Sequence, residues 1–404
     1  MRRTAAIIAL TLVYSVAYSV SMIATWLGRL GLRRRKVHRR IIVNGTFHNP
    51  NWFRAHITPL VESGYGEVIL VCDEPIDELP NLVYRCPPLW AMRVFSRAGA
   101  KAIWTLMTGI QRPADIYVGY HIFPSAITAL LCARLLGARA IYQVTSGPLE
   151  LEGGGWNAEN LVLTSLGGPS PWVERLAMKV TCQFDLVVVR GSTAEAFIRS
   201  HGFKGKIEIV TGSVRTKTAV ATERDVDIIF VGRLTEYKRP DRLLDVVDRV
   251  RESLPEVRVL IVGDGPDRAA LEARVTADNA ERNVTFLGQR SDVLAQLARS
   301  RTFVLTSRWE GVSIAMLEAM AMGAVPVVNR VGDLADFAIN GETGYVVEED
   351  QVGLQAGYLV ELLKNPGQLG AMSAAARRLV EARCDSDVLA RRWHQIFLTM
   401  SEPG

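Results

Sequence analysis

The chain has 404 residues, of which 49% are hydrophobic, 7% aromatic and 22% charged. That composition excludes a mainly disordered, collagen-like or disulfide-scaffold protein and leaves room for about two to three domains. The net charge is +5, but residues 1–40 hold nine basic side chains and no acid, so 5 − 9 leaves −4 for residues 41–404. A mildly acidic body with a basic head argues against a nucleic-acid binder built on a basic domain face, and no nucleic-acid partner is expected.

The first element runs from Thr4 to Leu27 without a charge. As a helix it would reach roughly 36 Å, against a bilayer core of about 30 Å. A membrane-spanning anchor is the leading expectation. An interfacial helix and a cleaved signal peptide are the alternatives, the last weakened by the length of the apolar run. Seven basic residues follow the segment and two precede it, which places the body in the cytoplasm by the positive-inside rule. The run through Arg33, Arg34, Arg35 and Lys36 also suits anionic lipid headgroups. Residues 1–40 are therefore expected to be a membrane anchor with a polybasic stretch.

Beyond it, short apolar runs recur at 41–45, 67–72, 115–120, 139–144 and 185–190, and again at 226–232, 257–263, 284–288, 302–307 and 325–329. Helix-like stretches such as 125–137 separate several of them. Fully apolar strands alternating with helices predict parallel sheets covered on both faces. Two such sets predict two doubly wound Rossmann-like α/β domains, at 41–215 and 216–385, with 386–404 as a C-terminal helix crossing back to the first. The polar stretch 211–227 reads as the seam. The Gly-rich stretch 146–172 breaks the alternation and reads as a long loop or an insertion, a mobile element on the acceptor side. Five scattered cysteines (Cys72, Cys86, Cys132, Cys182 and Cys384) show no metal-ligand spacing and read as free core thiols.

Three strand exits in the second half carry chemistry-bearing residues. The first is Val231-Gly232-Arg233-Leu234 with Lys238 five residues past Arg233. Gly232 permits a tight turn, and the two cations suit a diphosphate as fork and point charge. The second is Gly263-Asp264-Gly265-Pro266, where two glycines allow close backbone approach. Each is also readable as a plain strand-to-helix turn. The third is Glu310-Gly311-Val312-Ser313-Ile314, in which Ser313 suits the N-cap of a helix running to about Met322. Glu318 lies inside that helix among Ala, Met, Leu and Ile, so its carboxylate needs a partner. A pair of sugar hydroxyls or protein backbone would serve. Glu310 is alternatively a surface loop acid, and His121, at the end of the strand 115–120, a core or loop histidine.

In order, GRL-x3-K, GDGP, FLG and E-x7-E followed by AMAMGAVPVV resemble the retaining nucleotide-sugar glycosyltransferases of family 4, which have the two-domain GT-B fold. The match is close over 225–350 and looser over 41–215, where RPADIYVGYH is similar to the family's "PDIIHAH" strand end. The resemblance implies that Arg233 and Lys238 hold the donor diphosphate. It implies that Glu310 and the backbone of Gly311, Val312, Ser313 and Ile314 engage the sugar and phosphate, and that Glu318 binds the ribose hydroxyls. Gly232, Gly263 and Gly265 would lie along the donor. Gly288, Gln289 and Arg290 would face the nucleobase. His121 would lie in the catalytic pocket beside the transferring sugar.

The sequence departs from the family pattern at Asn44-Gly45-Thr46, which has one glycine where a glycine-rich loop is usual, and at Thr211-Gly212-Ser213-Val214, which lacks the family's Asp. It has no D-x-D motif at a strand end. No metal and no cofactor is expected, because the basic pair neutralises the leaving diphosphate. The expected partners are a nucleotide-sugar donor, a lipid-linked saccharide or glycolipid acceptor, and a membrane with anionic lipids. The expected activity is retaining hexosyl transfer in surface polysaccharide assembly. A nucleotide-sugar 2-epimerase and a non-catalytic membrane scaffold on the same fold are the rivals.

Overall fold

A computed structural model describes residues 2–29, 37–47, 49–157, 161–217 and 223–402. The polybasic run at 33–36 and part of the expected seam lie outside the described residues. The chain divides into two compact units, Met1–Gly212 with Ser386–Gly404, and Ser213–Asp385.

Unit 1 holds seven parallel strands: β1 (Arg40–Asn44), β2 (Glu67–Val71), β3 (Leu82–Tyr84), β4 (Ile116–Tyr120), β5 (Arg139–Gln143), β6 (Leu186–Val189) and β7 (Lys206–Ile209). Their order is β3-β2-β1-β4-β5-β6-β7. Its helices are α1 (Arg2–Arg29), α2 (Pro50–Glu62), α3 (Leu89–Gln111), α4 (Ile127–Leu136), α5 (Leu161–Thr164), α6 (Pro171–Thr181) and α7 (Ser192–Ser200). Unit 2 holds β8 (Val226–Val231), β9 (Val259–Val262), β10 (Val284–Gly288), β11 (Ser300–Leu305), β12 (Val325–Asn329) and β13 (Tyr345–Val347), in the order β10-β9-β8-β11-β12-β13. Its helices are α8 (Pro240–Ser253), α9 (Arg268–Ala277), α10 (Val293–Ala298), α11 (Ile314–Ala321), α12 (Val352–Lys364) and α13 (Pro366–Cys384). The final helix, α14 (Ser386–Ser401), belongs to unit 1, where Trp393, Phe397 and Met400 share a core with Phe53 and Ile57 of α2.

Every apolar run read from the sequence forms a strand; most are buried on both faces, and β10, at a sheet edge, is only partly covered. Strands β3, β7 and β13 were not anticipated. All three lie at sheet edges and are three or four residues long, and β3 and β7 are only partly covered. At three or four residues each is too short to stand out as an apolar run, although β3 and β13 are apolar throughout. In both sheets the chain reverses direction of winding after its third strand, at β1/β4 and β8/β11. Ligands of doubly wound sheets bind beyond the carboxyl ends of the strands at such a switch point.

Two further segments are built into unit 1. The first helix packs as a layer of that unit. Leu10, Tyr14, Ala17 and Ser21, spaced four, three and four residues apart, are at most 1% exposed. They form one stripe against α4 and α6. The described residues of the stretch 146–172 form a folded insertion, one of the two readings of that stretch. It makes 3-10 turns at Gly147–Glu150 and Glu152–Gly154, and buries Leu151, Leu163 and Leu166 completely or nearly so. Gly153, Gly154 and Gly155 take φ of 59°, 82° and 78° in succession. Three consecutive left-handed residues wind the chain tightly round Glu150, which only glycine does without steric cost.

Candidate active site

In unit 2 the exits of β8, β9 and β10 are knitted together by their backbones. Leu234 N donates to Asp264 O at 3.0 Å, Asp267 N to Leu234 O at 3.2 Å, and Gly263 N to Gly288 O at 2.8 Å. A Cβ on Gly263 would lie 1.8 Å from Gly232 O, and one on Gly265 would lie 2.2 Å from Leu234 O. These glycines thus serve loop-on-loop packing, whatever they present to a ligand. Above them Lys238 Nζ donates to Glu310 Oε1 at 2.5 Å, and Ser307 Oγ donates to the same oxygen at 2.6 Å. Arg308 N donates to Tyr237 O at 2.8 Å, locking the loop after β8 to the loop after β11. The structure therefore joins Lys238 and Glu310, which the sequence treats as separate groups, into one ion pair.

Arg233 is exposed, and its guanidinium makes no hydrogen bond or ion pair among the described residues. It is a cation that none of the described residues neutralises. Helix α11 begins where expected, with Ser313 Oγ accepting from Met316 N at 3.3 Å. That leaves the first backbone N–H groups of the helix beside the Lys238–Glu310 pair and directed outward. Gly332 supports this turn, since a Cβ there would lie 2.0 Å from Glu310 O. Glu318 is half-buried, and its carboxylate has no hydrogen bond among the described residues. Burial pushes its pKa up to about 7. A partner offering hydroxyl donors would reverse that shift. Gly288 turns the chain at φ 66°, Gln289 is exposed, and Arg290 is tied to Asp292 at 2.7 Å.

In unit 1 His121 follows β4 with φ 63° and ψ 142°, a conformation unusual for a side chain other than glycine. Its Nδ1 lies 2.6 Å from Thr145 Oγ1 and 3.5 Å from Glu150 Oε2. Thr145 Oγ1 gives its single proton to Glu150 Oε2 at 3.0 Å. Its oxygen then accepts from His121 Nδ1–H, which leaves Nε2 as the basic nitrogen. Glu150 is 1% exposed and also accepts from Ile122 N at 2.6 Å, Tyr142 Oη at 2.7 Å and Thr145 N at 2.9 Å. Burial raises its pKa, but His121 and these donors outweigh burial and bring it down to about 2. It is an ionised carboxylate at the centre of a satisfied network.

Trp52 lies parallel to the His121 ring, at 9° and 6.5 Å, with the Arg190 guanidinium 5.3 Å from its own ring centroid. Arg190 Nη2 donates to His56 Nε2 at 2.5 Å. Burial, then Arg190 and His121, push the His56 pKa well below its ordinary value, so it stays neutral. Buried Lys101 reaches from α3 to Thr46 Oγ1 at 2.5 Å and Asp73 Oδ1 at 3.3 Å, holding the single-glycine loop after β1. Sequence reading found His121 and missed Glu150, Thr145, Trp52, His56 and Arg190. The one available signal was Glu150 in front of three glycines.

Residues 216–379 match the family described as "Glycosyl transferases group 1". The chain is 30% identical over 166 residues to the N-acetyl-alpha-D-glucosaminyl L-malate synthase of Bacillus anthracis, covering 41% of this chain and 44% of that one. It is 34% identical over 180 residues to a GDP-mannose-dependent monoacylated alpha-(1-6)-phosphatidylinositol monomannoside mannosyltransferase of Corynebacterium glutamicum, covering 42% and 46%. The chain thus aligns with less than half the length of these relatives. Among solved structures, Anabaena HepE in complex with UDP superposes with a TM-score of 0.71 at 13% identity, over 89% of this chain and 99% of that one. The chain has the GT-B fold of two parallel-sheet α/β domains, and its residues 216–379 are similar to the glycosyl transferases group 1.

Proposed function

We propose that the protein is a retaining hexosyltransferase that moves a hexosyl unit from a nucleoside diphosphate sugar to a lipid-linked saccharide or glycolipid. The observation that carries this reading is the set of unmet groups at the carboxyl end of the unit 2 sheet. The Arg233 side chain is an exposed cation without a partner among the described residues, Glu318 is a half-buried carboxyl without a donor among them, and the α11 N-terminus follows three residues after Glu310 of the Lys238–Glu310 pair. A nucleoside diphosphate sugar satisfies all of them at once. Its diphosphate meets Arg233, Lys238 and the helix N-terminus, its ribose hydroxyls meet Glu318, and its sugar meets Glu310.

As the glycosidic bond to the diphosphate breaks, negative charge grows on the leaving phosphate. Preorganised cations and backbone N–H groups stabilise that charge without reorganising, usually the largest contribution to such a rate. The leaving phosphate accepts the acceptor hydroxyl's proton as the new bond forms. On unit 1 we assign His121 Nε2 to the substrate, held by Thr145 and Glu150. The reading requires no metal, so chelation with EDTA leaves turnover unchanged. The relatives support the donor class. One is named for GDP-mannose and a phosphoinositide mannoside, and HepE was solved with UDP.

The deciding experiment incubates the purified full chain with UDP-, GDP- and ADP-sugars and a lipid extract, and identifies products by mass. A hexose added to a lipid, with nucleoside diphosphate released only when lipid is present, is the expected result. A donor isomerised without acceptor points instead to an epimerase, and no conversion of any donor overturns the enzyme reading.

A further inference from the structure

Helix α1 has the length and composition to cross a bilayer, with a mean hydropathy of 2.0 over Arg3–Trp26. Its packing is incompatible with crossing one. The stripe Leu10, Tyr14, Ala17 belongs to the same core as Ile127 and Leu130 of α4 and Val173 of α6. Thr11 Oγ1 accepts from Trp172 Nε1 at 3.1 Å, and Arg3 Nη2 donates to Pro169 O at 3.1 Å. A spanning helix would strip this stripe from the domain and leave the facing sides of α4 and α6 bare. The opposite stripe has no cover among the described residues. Ile8, Leu12, Val16, Ile23 and Trp26 are 52–66% exposed.

A second uncovered face lies on α3. Ser96, at φ 61° and ψ 165°, breaks that helix and sets Leu89–Phe95 apart as a short segment of its own. This is a region of backbone space almost reserved for glycine, so the break is held against a conformational cost. Leu89, Trp90, Val94 and Phe95 on the segment are 46–69% exposed, with Arg93 and Arg97 exposed beside them. From Leu79 to Ala114 the sequence has no acid and five basic residues; Lys101 is buried against Asp73 and Arg112 is paired with Glu67, which leaves Arg85, Arg93 and Arg97 exposed. Helices α1 and α3 both pack on α4, on the same side of the sheet. Their first turns also share an end of it. Helix α3 starts beyond the exit of β3, and Arg3 and Thr11 meet the start of α6 beside the Glu150 insertion.

We infer that the outer stripe of α1 and the Leu89–Phe95 segment of α3 form one docking surface for an anionic lipid bilayer. The protein lies on the membrane in the interfacial plane and does not span it. The occupant follows from the surface chemistry: two tryptophans and a row of aliphatic side chains suit the headgroup boundary, and exposed Arg85, Arg93 and Arg97 in a stretch without acids suit anionic lipid. This deepens the reading of a membrane-presented acceptor but stands on surface geometry alone, so its test needs no enzyme activity.

The full chain is floated with vesicles of zwitterionic lipid and with vesicles enriched in phosphatidylglycerol. Wild type is expected on the anionic vesicles. Trp90→Glu with Val94→Glu, and separately Leu12→Glu with Ile23→Glu, should each lower the bound fraction by about tenfold, since a charge resists entry into the apolar boundary. Unchanged melting by circular dichroism confirms that the variants fold, as expected for exposed sites. Undiminished binding of the α3 variant overturns the joint surface. Failure of the wild type to bind, with a concentration-dependent dimer instead, overturns the membrane as occupant. Topology is read with a membrane-impermeant thiol reagent on sealed vesicles carrying the protein. The exposed native Cys182 reports the body, and Thr4→Cys in a Cys182→Ser background reports the start of α1. Labelling of both from the same side is expected, and labelling from opposite sides shows a spanning helix and refutes the proposal.

Discussion

The polar groups of the two units are prepared in opposite ways. Around His121 nearly every donor has its acceptor. Glu150 takes hydrogen bonds from Ile122, Tyr142 and Thr145, and is ionised despite complete burial. At the carboxyl end of the unit 2 sheet the groups are left unmet, with Arg233 unpaired and Glu318 pushed toward its neutral form by burial. A satisfied network is stiff and fixes the direction of one ring. Unsatisfied groups carry a cost that a ligand removes, so they favour binding. Unit 1 has the features of an orienting site and unit 2 those of a binding site.

The largest effect expected from this contrast is on unit 2. Arg233→Ala and Lys238→Ala should each lower turnover by about 10²–10³-fold, the scale of losing one charge-stabilising group at a reacting centre. Steady-state product formation measures it, and turnover near wild type in either variant refutes the assigned role. Lys238→Ala also leaves Glu310 without its cation, so it should be the more damaging of the two.

Next, Glu150→Gln tests whether unit 1 is rigid because of its buried charge. The variant keeps the shape but turns one acceptor oxygen into a donor facing other donors. Urea unfolding should show a loss of about 1–3 kcal/mol. The pH dependence has a definite sign. The folded pKa of Glu150 is depressed to about 2, so its stabilisation is present above its unfolded pKa and is lost as pH falls through about 2. The difference between wild type and variant should shrink over that acid range. A constant difference would show that the charge is not what stabilises the network.

Glu318→Gln should behave in the opposite sense. Its folded pKa is raised to about 7 by burial, so ionisation costs the wild type stability as pH rises above the unfolded value, and the cost levels off above about 7. Without ligand the variant should become the more stable protein across that window. With ligand the order reverses, because nucleotide affinity measured by calorimetry should fall about tenfold on loss of a charged acceptor for hydroxyls. Unchanged affinity would remove Glu318 from the donor site. The smallest effect is Ser313→Ala, which removes the N-cap of α11 and should cost about 1 kcal/mol of stability.

How much of this was legible depended on how local its cause was. Arg233, Lys238, Glu310 and Glu318 stand at strand exits or on a helix whose apolar runs and glycines are continuous in sequence, so their neighbourhood can be read without a structure. The Lys238–Glu310 pair joins residues 72 apart, and nothing in either stretch announces it. Glu150 was unreadable for the same reason. Its partners Ile122 and Tyr142 come from two other segments, and its own segment looks like an ordinary glycine-rich loop. The glycines at 263 and 265 were visible, but their use against the backbone of a neighbouring loop was not.

Helix α1 shows the boundary most clearly. The sequence by itself determined that residues 4–27 form a long apolar helix and that the basic charge of the chain is gathered around it. It also determined two parallel sheets, because strands buried on both faces must be apolar throughout. Only the tertiary structure decided which side of α1 is covered, since hydropathy sums over all faces of a helix while burial acts on each face separately. One face is domain core and the other is bare, and a segment average of 2.0 is the same for that helix as for one that crosses a membrane.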